Sequence, residues 1–480
     1  MLIAGCAVGP NFHKPEAPAV SDYTEHPIQT TSGANTAGGE AQHLVKDLDI
    51  PGEWWEAFHS KPLDDLIARA LKNNPSIKAG QAALSVAREN VLVQEGAFFP
   101  AISALFSGSR QQTSGQIAPV PNSNTFLFNV YTPEVNVSYS PDVFGLNRRT
   151  VESLKAQEEQ QRFALAATHI TLSANVVTTA VQEASLRGQV AATHQLIDLN
   201  AKMLQILRDQ FAKGYAGRLD VAAQESQLAQ VTATLPPLVK QLAQQRDMLA
   251  ALSGGYASQG LAETFELANL HLPRELPLSV PAKLVAQRPD VRQAEENMHS
   301  ASALIGVAIA NRLPNIALTA NAGSTGLAMS QLFTPGNQFW TIAGTATQPV
   351  FQGGALLHKQ RAAEAAFRQA TEQYHSTVLT AFQNVADTLN ALAQDANALK
   401  AAVEAERAAK VTLDLVTKQK EIGYASYLAV LNAEQTYQQA LINLVQAQAN
   451  RFADTAALFQ ALGGDWWHRP DATTNDERKH

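Results

Sequence analysis

The 480-residue chain is written twice. "NNPSIKAGQAALSVARENVLVQEGAFFPAI" (Asn73–Ile102) returns in outline as "QRPDVRQAEENMHSASALIGVAIANRLPNI" (Gln287–Ile316), with Pro75 and Pro100 answering to Pro289 and Pro314. The differences 289 − 75 and 314 − 100 are both 214. Further on, "SPDVFG" (Ser140–Gly145) parallels "QPVFQGG" (Gln348–Gly354), and "AALSGG" (Ala250–Gly255) parallels "QALGG" (Gln460–Gly464). "FAKGYAGRLDVAAQES" (Phe211–Ser226) parallels "KEIGYASYLAVLNAEQ" (Lys420–Gln435), where the glycines at 214 and 423 lie 209 apart. An offset that hardly drifts means two halves of about 200 residues built to one plan.

Each half reads as helix, two strands, long helix, turn, helix. The first helix, Leu63 to Ala97, stops ahead of Pro100, because the residue before a proline avoids the helical region. Strands follow at about 100–112 and 127–140, where Ile102, Ala104 and Phe106, then Val135, Val137 and Tyr139, take alternate positions. The second half runs a helix from Lys283 to Asn311. Its strands lie at about 315–325, where Ile316, Leu318, Ala320 and Ala322 alternate, and at about 338–348, after the turn "TPGN" (Thr334–Asn337). Such lengths suit tilted membrane strands of ~10 residues. Long helices are expected over Leu146–Phe211 and about Ala355–Ile422, the first about 100 Å long at ~1.5 Å per residue. Return helices follow over Leu219–Leu252, with Pro236-Pro237 as a kink or a loop, and Tyr427–Leu462. Steps of seven (Val190, Ile197, Leu204, Phe211; Val445, Phe452, Phe459) imply left-handed supercoiling. The repeats thus occupy 63–255 and 283–464, flanked by an N-terminal segment (1–62), a linker (256–282) and a polar tail (465–480).

Four strands cannot close a barrel, and lipid does not tolerate an open sheet edge. Closure needs about eight strands or more. A dimer supplies eight and a trimer twelve. No run reaches ~18 apolar residues, so no transmembrane helix is expected. The net charge of −7 offers no basic surface for nucleic acid. The single cysteine, Cys6, excludes an intramolecular disulfide and a multi-cysteine zinc site. It follows Ile3-Ala4-Gly5, the order of a bacterial lipoprotein cleavage site, with no basic n-region and almost no apolar h-region ahead of it. Lipidation of Cys6 is expected in the natural protein; elsewhere a lone cysteine reads as a small buried hydrophobe. No P-loop, H-E-x-x-H or G-x-S-x-G motif occurs, and the twelve histidines are scattered, so no enzyme is expected.

Several stretches converge on one family. "CAVGPNFHKP" (Cys6–Pro15), "WWEAFHSKPLDDLIARALKNNPSIKAGQA" (Trp54–Ala82), "AQRPDVRQAE" (Ala286–Glu295) and "PVFQGG" (Pro349–Gly354) resemble outer-membrane efflux lipoproteins of the NodT subgroup. That subgroup belongs to the TolC/OprM-like outer-membrane factor family. The resemblance implies a homotrimer with a mixed α and β fold, whose twelve-stranded transmembrane β-barrel (four strands per chain) is continued by a long periplasmic α-helical barrel with an equatorial collar. Residues 1–62 and 256–282 would contribute to that collar. The shorter helices would stack end to end, Leu63–Ala97 with Leu219–Leu252 and Lys283–Asn311 with Tyr427–Leu462. The implied partners are a periplasmic membrane-fusion adaptor and an inner-membrane proton-driven pump of the resistance–nodulation–division (RND) class. Outer-membrane lipid would surround the barrel; no cofactor is implied, only a covalent lipid on Cys6 in the natural protein. An exit channel for an ATP-driven secretion or efflux system would share the fold; a periplasmic coiled-coil scaffold would need no strands.

By position, the resemblance assigns a periplasmic gate and docking tips. The two "GYA" turns, with Gly214, Tyr215 and Gly217 in one half and Gly423 and Tyr424 in the other, would sit at the adaptor-docking tips. In "YLAVLN" (Tyr427–Asn432), Leu428 falls where the family narrows with an apolar residue. Asn432 falls where many members carry an aspartate, so any acidic ring would draw on Asp220 and Glu225 instead. In "RPDVR" (Arg288–Arg292), Pro289 and Asp290 are expected at a helix start with both arginines solvated. Trp54 and Trp55 are expected to pack under the collar rather than to mark a membrane belt.

Overall fold

A computed structural model describes residues 7–114, 126–464 and 466–468. Two compact units emerge, each assembled from three separate stretches of chain. Helices α3 (Leu146–Ala212) and α7 (Ala355–Glu421), 67 residues each, contribute to both.

The first unit (7–15, 84–161 and 294–374) is built on a sheet of β2 (Ala101–Gln112), β3 (Leu127–Tyr139), β5 (Asn315–Ser324) and β6 (Gln338–Thr347), all antiparallel in that spatial order. The register decides which alternations belong together. Ile102 faces Val137, Ala320 and Ile342 in turn, and Ala104 faces Val135, Ala322 and Trp340. The apolar residues that alternate in four separate sequence stretches therefore share one face. The opposite face carries Ser103, Asn136, Asn321 and Thr341 in one cross-strand row. Large apolar groups stay open to the surroundings on the first face: Ile102 is 72%, Trp340 74% and Ile342 76% exposed. Among the described residues, β2 and β6 each keep one edge without a strand partner.

The chain's first described residues are strapped onto this unit. Val8 N–H donates to Phe144 O (3.1 Å), and Arg149, buried at the start of α3, donates to the carbonyls of Val8 (3.0 Å) and Gly9 (3.3 Å) and to Asn11 Oδ1 (2.9 Å). Gly9, at φ +96°, lies against Gly306 of α6 (Pro289–Ala310) so closely that neither can carry a side chain. Phe12 stacks on His299 (4.5 Å) and Lys14 pairs with Glu295 (3.2 Å).

The second unit (16–83, 162–293 and 375–468) centres on an aromatic core. Trp54 stacks on Phe459 (5.1 Å) and meets Phe58 edge-on (6.4 Å), which in turn touches Phe452 (6.3 Å). Trp54 and Trp55 are buried there, so neither marks a membrane belt. Beside this core β1 (His43–Lys46) pairs in parallel with β4 (Glu275–Leu278). One 18-residue window of α3 is apolar enough to cross a membrane, at mean hydropathy 1.3, but 61% of it is buried inside the protein, as a packing face is.

Three expectations need correcting. The helix expected over Leu63–Ala97 is two, α1 (Lys61–Asn73) and α2 (Pro75–Glu95), and that over Lys283–Asn311 is α5 (Pro281–Gln287) and α6. The cause is the rule that ends a helix before Pro100: Asn74 and Arg288 each precede a proline and are extended (ψ 128° and 121°). Second, of the kink or loop expected at Pro236-Pro237, the loop is excluded: α4 (Arg218–Leu252) runs through both prolines. Third, Arg288 is not solvated. It is buried, donates to Ala461 O (2.8 Å) at the end of α8 (Tyr427–Ala461), and holds Asp290 (2.7 Å). In the other half Asn74 makes the corresponding link, Nδ2 donating to Leu252 O (2.9 Å) at the end of α4. Each return helix therefore ends against the break in a shorter helix pair.

Candidate functional site

The residues expected at the tips come together where α3 turns into α4 and α7 into α8. The residues that close each turn are the same. α3 ends at Ala212, Gly214 takes φ +80°, and Tyr215 N–H reaches back to Gln210 O (2.8 Å). α7 ends at Glu421, Gly423 takes φ +84°, and Tyr424 N–H reaches back to Gln419 O (2.8 Å). Glycine accepts this left-handed conformation without strain, which stops each helix at a defined residue. The return helices start on caps: Asp220 Oδ2 accepts from Gly217 N–H (3.0 Å), and Ser426 Oγ accepts from Ala429 N–H (3.3 Å).

Inside the tip, Met203, Leu207, Leu413, Val430 and Ala433 form a buried cluster, with Val221 and Tyr427 against it. Leu428 points the other way. It is 63% exposed, as are Leu219 (81%), Tyr215 (82%) and Tyr424 (85%), so the tip presents apolar surface that one chain leaves uncovered. Asn432 is also exposed. The two carboxylates expected nearby are engaged within the chain, Asp220 as the cap and Glu225 with Arg208 (2.8 Å).

The charged group that sequence reasoning missed is Glu434, 2% exposed within the tip. Burial, opposed by Lys420, pushes its carboxyl up to about 7. Lys420 is half-buried, lies over the Tyr427 ring (5.1 Å) and is itself pulled down by burial, against Asp220 and Glu434. The signal was present: Val430, Glu434 and Tyr437 keep the i, i+4, i+7 spacing of one helix face.

Cys6 lies outside the described residues. Its neighbour Ala7 is placed against Gly145, at the turn between β3 and α3, where a Cβ on residue 145 would come within 2.6 Å of it. Among the described residues, no three or more His, Asp or Glu side chains are grouped to hold a metal ion.

Comparison with known proteins bears on all of this. The family profile described as outer membrane efflux protein matches residues 66–255 and 280–464, one segment in each half. The chain is 27% identical over 474 residues to the probable efflux pump outer membrane protein TtgC of Pseudomonas putida, covering 98% of this chain and 94% of the relative. It is 24% identical to nodulation protein T of Rhizobium leguminosarum bv. trifolii, over 94% of each chain. Among solved structures, the outer-membrane channel OprN superposes with a TM-score of 0.85 at 22% identity, covering 96% of this chain and 99% of that one.

Proposed function

Since the chain belongs to the outer membrane efflux protein family, we propose that three copies close a twelve-stranded barrel and form the passive exit duct of a tripartite efflux pump. An outer-membrane efflux channel is not an enzyme. Its chemistry is that of a pore, and energy comes from a partner. The observation that carries the reading is the four-stranded sheet with one apolar face, one polar face and two open edges. A sheet of this kind is stable in lipid when its edges are paired and its apolar side faces outward, with β2 of one protomer meeting β6 of the next.

The helical tips then gather about the threefold axis. The exposed Leu428 side chains form an apolar constriction there, and the Tyr215 and Tyr424 turns, with Gly214, Gly217 and Gly423, offer the surface a periplasmic adaptor grips. The inner-membrane partner in this reading is a proton-driven RND pump; relatives named as efflux pump outer membrane proteins support an efflux pump as the partner. Deleting the gene should raise retention of a fluorescent efflux substrate, and the chain supplied in trans should restore export. Unchanged retention would remove this assignment. An ATP-driven partner is the alternative, and dependence of export on the proton gradient separates the two.

Acylation of Cys6 adds an anchor. The neighbouring Ala7 packs against Gly145, between β3 and α3, and that placement supports the reading. A palmitate analogue should label the protein and spare Cys6→Ser; equal labelling would exclude this.

A further inference from the structure

We infer that Glu134 sets the charge preference of the pore within its barrel, admitting cationic solutes over anionic ones. This rests on the reading that the polar face of the sheet lines a lumen. On that face, β2, β3, β5 and β6 together carry one charged side chain, Glu134. Its companions are Ser, Thr, Asn and Gln with a few small or apolar residues. The single other charge brought into register, Arg110, belongs to the opposite face and lies near the end of β2.

The surroundings of Glu134 are built for it. Across the β3–β5 pairing it faces Gly323, where a Cβ would come within 2.8 Å of Glu134 Cβ and 2.5 Å of Pro133 O. Gly323 therefore leaves the carboxylate unobstructed space. Asn136, the next residue of β3 on this face, donates from Nδ2 to Glu134 Oε1 (3.1 Å) and holds the side chain along the strand. Leu105, its register partner on β2, brings no compensating cation.

Three-fold closure puts three such carboxylates at one height of an otherwise uncharged polar wall. A ring of one sign between low-dielectric walls concentrates counter-ions and excludes co-ions, which is how acidic rings select cations. A ring within the barrel acts on solutes independently of whatever closes the helical tips.

The test reads the potential locally. In a Cys6→Ser background, Ser107→Cys places the chain's single thiol on the same face, with Ser107 and Thr132 the register pair adjacent to Leu105 and Glu134. The thiol in reconstituted vesicles is reacted with a trimethylammonium-bearing and a sulfonate-bearing thiosulfonate. Glu134→Gln keeps the oxygen that accepts from Asn136 and removes the charge. The ratio of cationic to anionic rates should fall at least about threefold, and the difference should shrink near 1 M salt, where the Debye length is ~3 Å. Glu134→Asp should restore the ratio. A ratio unmoved by Glu134→Gln, with the thiol still reactive, overturns the inference. Ala104→Cys, on the apolar face, is the control for the reading beneath it. If Ala104→Cys reacts and Ser107→Cys does not, the polar face is not the lumen, and the barrel assignment fails first.

Discussion

At the scale of single residues, two side chains of the tip make opposite bets on water. Leu428 is left outside the tip core while Val430 and Leu431, two and three residues on, are buried. A narrow ring of leucines blocks ions because they cannot keep their hydration there. In the proposed constriction Leu428→Ala would remove part of the plug without adding charge, so resting conductance in planar bilayers should rise. Conductance equal to the unaltered protein would place the constriction elsewhere. Glu434 is the reverse case, an acid held inside. Its carboxyl sits at about 7 in the folded tip against an ordinary 4.5, so between those values the folded state binds a proton that the unfolded state has released. Stability therefore falls as pH rises through that window and is greater on the acidic side. Asp454, pushed to about 7 by burial and by Asp395, adds a slope of the same sign, so the difference between variants is the quantity to read. Unfolding temperatures from pH 5 to pH 8 should drop less for Glu434→Gln than for the parent; identical slopes would mean that Glu434 is not held as described.

At the scale of elements, the alternation of Ile102, Ala104 and Phe106 and the heptad steps of α3 and α8 name strands and helices directly, because both depend on local spacing. The breaks at Asn74 and Arg288 are equally local, each a residue before proline; "RPDVR" marks Pro289 as a helix start, which α6 bears out, whereas at Asn74 the helical pattern continues on both sides and hides the break. What these breaks do was not legible. Asn74 meets Leu252 and Arg288 meets Ala461 only once distant helices are brought together. The solvated arginine expected in "RPDVR" becomes a buried donor for the same reason. Arg288→Ala leaves the Ala461 carbonyl buried without that donor, a loss of about 1–3 kcal/mol. Calorimetry on the detergent-solubilised protein should show a lower unfolding temperature for Arg288→Ala and a smaller decrease for Arg407→Ala, an exposed residue whose partner Glu404 is also exposed. Equal effects would deny the junction its role.

At the scale of the whole molecule, the four strands and the lack of any catalytic motif could be read without a structure, and so could the family. The lumenal carboxylate could not. Glu134 gains meaning only when β3 is paired with β5 from the other half of the chain and Gly323 arrives opposite it. Closure of the proposed barrel would likewise be a property of the assembly: one chain supplies four strands, and among the described residues β2 and β6 each keep an open edge. The most direct test is the mass of the intact complex released from mild detergent in the gas phase. The account predicts three chains, about three times the 51.5 kDa of one polypeptide plus any acyl chains, stable on dilution. A stable monomer or dimer would contradict it.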